Sequence, residues 1–249
     1  MAEKSGIGWT HHTFNPWWGC EKVSEECRYC YIGAIMKRAG IKHPFAGPRR
    51  TKTWEIPLRW NRKAQDASIR RRVFTCSMSD FFHAEADAWR RDIWKLIREC
   101  EALDWLILTK RSERITECLP ADWGMAGYSN VWLGVTCGHP QSYYRIADLL
   151  KIPARVKFIS AEPLLGSLDL HHYLSGIDWV ITGCEQAAKG TRRPMDLGWV
   201  RDINQQCLET NTAHYFKQYY DQERGTPLTN GLIDGVVCQN FPPPTIVEV

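Results

Sequence analysis

The stretch Val73-Phe-Thr-Cys-Ser-Met-Ser-Asp80, the amphipathic run from Asp87 to Glu101 and the segment Trp105-Leu-Ile-Leu-Thr109 together decide the fold. Two short runs of β-branched, aromatic and aliphatic residues flank a helix-length segment. Such a strand, helix, strand unit implies a parallel pair joined by a right-handed crossover. The unit repeats along the chain. Val131-Trp-Leu-Gly-Val135, Val156-Lys-Phe-Ile-Ser160, Trp179-Val-Ile-Thr182 and His214-Tyr-Phe-Lys217 read as further buried strands, and Pro140 to Lys151 as a second clear helix. With Thr13 to Pro16 supplying one more strand, an α/β fold with a parallel sheet of six to seven strands is expected. Periodicity alone does not separate a curled sheet or partial barrel from a flat doubly wound one.

Polar residues follow directly after each apolar run. Ser77, Ser79, Asp80 and His83 follow the first; Thr109, Lys110 and Arg111 the second; Thr136 and Cys137 the third. Glu162, then Glu185 and Gln186, then Lys217 and Gln218 complete the series. In a parallel barrel, strand ends and the loops after them carry the chemistry, so these residues are expected to line one cavity. A solvated strand terminus is the plainer reading of Lys217 and Gln218, and helix capping that of Asp80.

At 249 residues the chain fits one large domain, taken as 1–249. No signal peptide and no membrane-length apolar run is present, and ten cysteines without a disulfide rhythm suit a reducing cytoplasm, that of a host cell if the protein is viral. The net charge of +4 is unevenly spread. Residues 37–72 hold Lys37, Arg38, Lys42, Arg49, Arg50 and Lys52 followed by six further bases, against Glu55 and Asp66 alone. Trp54 and Trp60 interleave with them, as on a surface that neutralises phosphates and stacks on bases; a solvated helix face is the alternative. This basic segment is read as an insertion, and 232–249, with Phe241-Pro-Pro-Pro244, as a C-terminal closing strand and arm. His11 and His12 read as a surface pair.

Cys20, Cys27 and Cys30, in Cys20-Glu-Lys-Val-Ser-Glu-Glu-Cys27-Arg-Tyr-Cys30, stand apart from the other seven cysteines. Zinc sites close with four protein ligands, and no second pair follows; a four-cysteine ferredoxin spacing is missing too. Three thiolates leave one iron of a cluster open. Cys27-Arg-Tyr-Cys30 resembles the Cys-x-aromatic-Cys end of the radical S-adenosylmethionine (SAM) triplet, although the first gap, six residues, exceeds the commonest three. Phe14-Asn-Pro-Trp-Trp-Gly-Cys20, Ser77-Met-Ser-Asp-Phe-Phe-His83, Leu108-Thr-Lys-Arg111, Ser160-Ala-Glu-Pro-Leu-Leu-Gly166 and Phe216-Lys-Gln218 extend the likeness. Together they resemble a phage-associated branch of the radical SAM superfamily.

The resemblance implies a parallel (β/α) partial barrel, a 4Fe-4S cluster on Cys20, Cys27 and Cys30, SAM as second cofactor and an external electron donor. It also implies cofactor contacts from Tyr29, Ser77, Ser79, Asp80, Arg111, Thr136 and Glu185, with Trp17 and Trp18 drying the cluster. His83, Lys110, Glu162 and Lys217 are the expected catalytic or substrate-facing residues. The substrate it points to is a modified nucleobase in phage DNA, with isomerisation of an N-linked glycinyl-thymidine to its C-linked form as the lead. Rival readings are radical SAM chemistry on tRNA or protein, and a metal-cluster nucleic-acid-binding module without catalysis.

Overall fold

The computed structural model describes residues 2–187, 190–221 and 225–243. Seven parallel strands, β1 (His12–Phe14), β4 (Arg71–Thr75), β5 (Leu103–Thr109), β6 (Val131–Thr136), β7 (Val156–Ala161), β8 (Trp179–Gly183) and β9 (Ala213–Asp221), lie side by side in that order. They curl into a half-barrel, with β10 (Thr226–Leu228) antiparallel on the far edge of β9. A two-stranded ribbon of β2 (Trp17–Trp18) and β3 (Arg49–Arg50) stands outside it, as does the hairpin of β11 (Leu232–Ile233) and β12 (Val236–Val237). The partial barrel expected from sequence is thus the fold observed, with each expected sheet strand present, whereas the closing strand expected from 232 onward is instead the separate hairpin of β11 and β12.

Helices cover the outer face, except α1 (Ile32–Arg38), which lies beside the strand ends with Ile32 and Met36 packed on Met78. The others are α2 (Ile56–Asp66), α3 (Asp87–Glu99), α4 (Ile115–Cys118), α5 (Tyr143–Leu150), α6 (His171–Leu174) and α7 (Leu197–Glu209). Apolar positions three or four apart, such as Ile93 and Ile97 on α3, Ile146 and Leu149 on α5, and Val200 and Ile203 on α7, face the sheet. They pack on Val73, Ile107, Leu133 and Val180, all fully buried. Each such side chain contributes about 1.5–3 kcal/mol relative to exposure.

The inner face carries a second core of Phe74, Leu106, Trp132, Phe158, Trp179 and Tyr215, joined by Trp9 from the N-terminal segment. Trp132 and Trp179 meet edge to face at 5.9 Å, and Trp9 lies 4.7 Å from Phe74. Gly134 on β6 has no side chain because the Phe158 ring occupies the place a Cβ would take. The C-terminal segment closes this floor. Phe241 packs 5.3 Å from both Trp179 and Tyr215, with the Arg72 guanidinium 3.8 Å from its centroid. Residues 244–249 of the expected arm, including Pro244, lie outside the described residues.

The basic insertion is divided by the structure. Its second half is α2, the crossover helix between β1 and β4, and Arg71 and Arg72 open β4 itself. Trp60 is 2% exposed and stacks on His12 at 4.4 Å, so this ring is a core residue rather than a platform for a base. Trp54 is half-buried, donates Nε1–H to Pro16 O and lies under the Arg50 guanidinium at 3.8 Å. His11 and His12 are likewise structural: His11 Nδ1 accepts the Arg72 amide at 2.9 Å.

Candidate functional site

Parallel strands present their C-terminal ends in one direction, and here those ends surround a cavity of about 380 Å³. Cys20, Cys27, Tyr29 and Cys30 reach it from the segment between β2 and α1. Ser77, Ser79 and Asp80 line it after β4, Lys110 and Arg111 after β5, and Thr136 at the end of β6. Glu162 after β7, Glu185 after β8 and Lys217 on β9 complete the wall. Of the strand-end residues expected to line it, Cys137, Gln218 and His83 lie outside: Cys137 is fully buried, Gln218 lines the neighbouring groove, and His83 turns away. His83 is 2% exposed, caps the turn Ala84–Ala86 by accepting the Glu85 amide on Nδ1, and has Nε2 3.5 Å from the Glu21 carboxylate.

The cysteine segment is held in place by the loop after β4. Gly19, at φ +105°, has no room for a Cβ because the Gly47 carbonyl sits there, and its amide donates to Met78 O at 3.1 Å. The Ser79 hydroxyl donates to Gly19 O. Asn15 donates to Ser77 Oγ at 3.0 Å and accepts the Met78 amide at 2.8 Å. Ser77 and Ser79 therefore strap the cysteine loop to the barrel as well as lining the cavity. Tight turns then space the thiols: the Cys27 amide donates to Ser24 O and the Cys30 amide to Cys27 O.

Asp80 is 5% exposed and joins three structural segments. Its carboxylate accepts from Thr109 Oγ1 at 2.7 Å, the Lys110 amide at 2.9 Å and the Phe82 amide at 2.9 Å, and pairs with Arg111 at 3.5 Å. Asp80→Ala is therefore expected to lower stability by about 2–3 kcal/mol, measured by urea denaturation. The cost stays moderate because Arg111 keeps contacts to Glu21 O at 3.3 Å and Cys20 Sγ at 3.7 Å. A variant as stable as the parent but weakened for SAM would make the carboxylate a cofactor ligand and not a strut.

The three thiols differ in electrostatics. Burial pushes Cys20 up to about 11, aided by Asp80 and opposed by Arg111. Burial also raises Cys30, against Lys110. Burial acts on Cys27 in the same sense, but Lys110, backbone hydrogen bonds at Val23 and Ser24, and the Ser24 hydroxyl outweigh it and leave this thiol below its ordinary value. Among the described residues no group of three His, Cys, Asp or Glu side chains is placed to hold a single metal ion. A cubane cluster instead asks its thiolates to surround a volume, and three soft sulfur donors around one cavity suit that demand. The Thr136 hydroxyl, buried at the end of β6 beside the cavity, has no hydrogen-bond partner among the described residues.

Ion pairs organise the rest of the wall. Lys217 Nζ lies 2.5 Å from Glu162 Oε1, and Glu185, 4% exposed, accepts the Arg193 amide at 3.0 Å and pairs with its guanidinium. Trp18, like Cys20 and Cys30, packs against the small cluster of Ile32, Met36 and Met78, whereas Trp17 is sealed in the core and donates to Asp80 O at 3.1 Å. Sequence reasoning missed a buried pair behind the cysteines, Glu26 with Arg145 at 3.2 Å. No local signal marks it, since its members lie on the cysteine loop and α5. Arg193 was missed for the same reason.

Over residues 4–242 the chain matches the family model described as protein of unknown function (DUF5131). A search of curated proteins found no match. Among solved structures the chain is similar to a cysteine-to-serine mutant of spore photoproduct lyase, with 13% identity, a TM-score of 0.52, and 88% of this chain and 67% of that chain covered. Spore photoproduct lyase complexed with dinucleoside spore photoproduct gives 14% identity, a TM-score of 0.49, and 78% and 60% coverage. A double mutant of that lyase with bound AdoMet and dinucleoside spore photoproduct gives 13%, 0.49, and 84% and 64%. The chain thus spans 60% and 64% of the length of the first two matched chains. At these identities the likeness establishes the fold.

Proposed function

This chain belongs to the family described as protein of unknown function (DUF5131), and from that premise we propose that it is a radical SAM enzyme acting on a nucleobase. The observation that carries the reading is the meeting of three thiols with the polar ends of six strands in one cavity. When bound, a 4Fe-4S cluster on Cys20, Cys27 and Cys30 supplies the electron that splits SAM homolytically, giving the carbon radical that removes hydrogen from substrate.

The chain's own residues position and screen. Lys110 places a cation beside Cys27 and Cys30 and offsets thiolate charge, as Arg111 does beside Cys20. Glu162 and Lys217 form a pair that a zwitterionic ligand can exchange into, its ammonium taking Glu162 and its carboxylate Lys217. Thr136 offers a free hydroxyl. The aromatic floor of Trp9, Phe74 and Phe158 keeps water from rising through the barrel.

Within this reading the finer lead is isomerisation of N-linked glycinyl-thymidine to its C-linked form, a DNA hypermodification that protects viral DNA from host restriction. Such a rearrangement keeps every atom and is redox-neutral: hydrogen leaves the α-carbon, the thymine methylene moves from nitrogen to carbon, and hydrogen returns. Lys110 and Lys217 supply the cations an amino-acid carboxylate needs in that cavity.

Anaerobic reconstitution is expected to give about four irons and four sulfides per chain. With reductant, SAM should yield 5′-deoxyadenosine and methionine. A purified protein holding one zinc, with no charge-transfer absorption and no SAM cleavage, would overturn the proposal. Mass spectrometry of DNA nucleosides with and without the gene tests the thymidine step.

A further inference from the structure

We infer that the open groove between α1 and the ends of β8 and β9 is the track for an unpaired polynucleotide strand whose target nucleotide turns into the cavity. This inference rests on the radical SAM reading for the chemistry but on the groove alone for binding. The groove encloses about 1130 Å³ and shares Lys22, Tyr29, Cys30 and Tyr31 with the cavity wall, so the two spaces are continuous beside the cysteines.

Charge selects the occupant. Lys37, Arg38 and Lys42 are exposed along the groove and pair with no carboxylate among the described residues, and Arg192 faces them from the strand ends. The acid in this lining, Glu185, is neutralised by Arg193. Unpaired cations in a row suit a chain of phosphates rather than one anion. Aromatic rings alternate with them. Arg192 lies 3.7 Å over the Tyr220 ring and Lys22 4.8 Å over Phe45, giving flat faces with a positive charge on which splayed bases can stack. A base inside a duplex cannot reach a cavity at the barrel's strand ends, whereas an unpaired or extruded nucleotide can.

The placement also separates two sets of bases that the sequence leaves together. Arg49, Arg50 and Lys52 do not line the groove. Arg50 is instead occupied with Trp54. The phosphate contacts are therefore assigned to Lys37, Arg38 and Lys42.

Fluorescence anisotropy with labelled single-stranded DNA, single-stranded RNA and blunt duplex DNA, across a salt series, tests this. The triple variant K37A/R38A/K42A is expected to bind a single strand at least about tenfold more weakly at low salt. Its log–log salt slope should be shallower by about 2, at roughly 0.7 per lost phosphate contact. R49A/R50A/K52A should match the parent. DNA and RNA single strands share this chemistry, and the tighter one names the polynucleotide. No binding by the parent, identical binding by the groove variant, or tighter binding of blunt duplex would each overturn the inference. SAM cleavage without substrate, assayed on the same preparations, is expected to be unchanged in both variants; its absence from the parent sinks the enzymatic reading while leaving the groove result standing.

Discussion

Cys27→Ala is expected to abolish the cluster: reconstituted protein should lack visible charge-transfer absorption, and SAM cleavage should fall to background. The expectation follows from where the thiol sits. Cys27 is the one buried member of the triplet and the one whose thiol is held below its ordinary value. Lys110 and the Ser24 hydroxyl make thiolate formation easier there than at Cys20, where burial and Asp80 work against it. Removing one of three legs leaves two, which is fewer than any stable site-differentiated cluster uses. Cys100→Ala is the matched control. Cys100 is fully buried, ends α3 and lies in the outer core, so its loss should cost about 1 kcal/mol and leave iron content unchanged. Iron and sulfide counts on the two variants decide the matter: a full cluster in Cys27→Ala, or an equal loss in both, removes the triplet from its assigned role.

The strands were legible because strands buried on both faces read as continuous apolar runs, and Leu103–Thr109 or Val131–Thr136 leave little else to read. β9 proved longer than its apolar core because β10 pairs with Tyr219, Tyr220 and Asp221, a partner no local pattern announces. α2 was hidden by charge. Its apolar positions Ile56, Trp60 and Ala64 repeat every four residues, but the bases between them dominated the reading of the segment. Strand-end logic found the cavity wall because parallel topology forces those ends together; it failed for His83, which a turn carries behind Asp80 and out of the lining. What joins distant segments through single side chains, such as Phe241 in the floor or Arg193 on Glu185, carries no periodicity and could only be seen folded.

Breaking the Glu26–Arg145 pair is expected to produce the largest loss of stability of any single exchange outside the main cores. Arg145 is 1% exposed and its guanidinium reaches Glu26 Oε1 at 3.2 Å, Thr136 O at 3.0 Å and Ser142 Oγ at 3.3 Å. The pair therefore ties the cysteine loop to α5 and to the end of β6. Glu26→Ala leaves a buried guanidinium without its carboxylate and should cost about 3–5 kcal/mol; Arg145→Met, which fills the same volume, strands the carboxylate instead at similar cost. The double variant should lose less than the sum, because neither charge is then left alone. The pair also fixes a pH dependence. Burial pushes the Glu26 carboxyl up, but hydrogen bonds from Ser142 and Ser24 and the Arg145 charge outweigh it and hold it at about 2, below the ordinary 4.5. The difference corresponds to roughly 3 kcal/mol. Because the folded-state value is depressed, this stability is fully present above the unfolded value and is lost as pH falls from about 5 towards 2. Urea midpoints at pH 7, 4.5 and 3 should thus converge for parent and Glu26→Gln as acid is added. Additive single losses at pH 7, or a gap between the two curves that does not narrow by pH 3, would show that the carboxylate at Glu26 is not what anchors the cysteine loop.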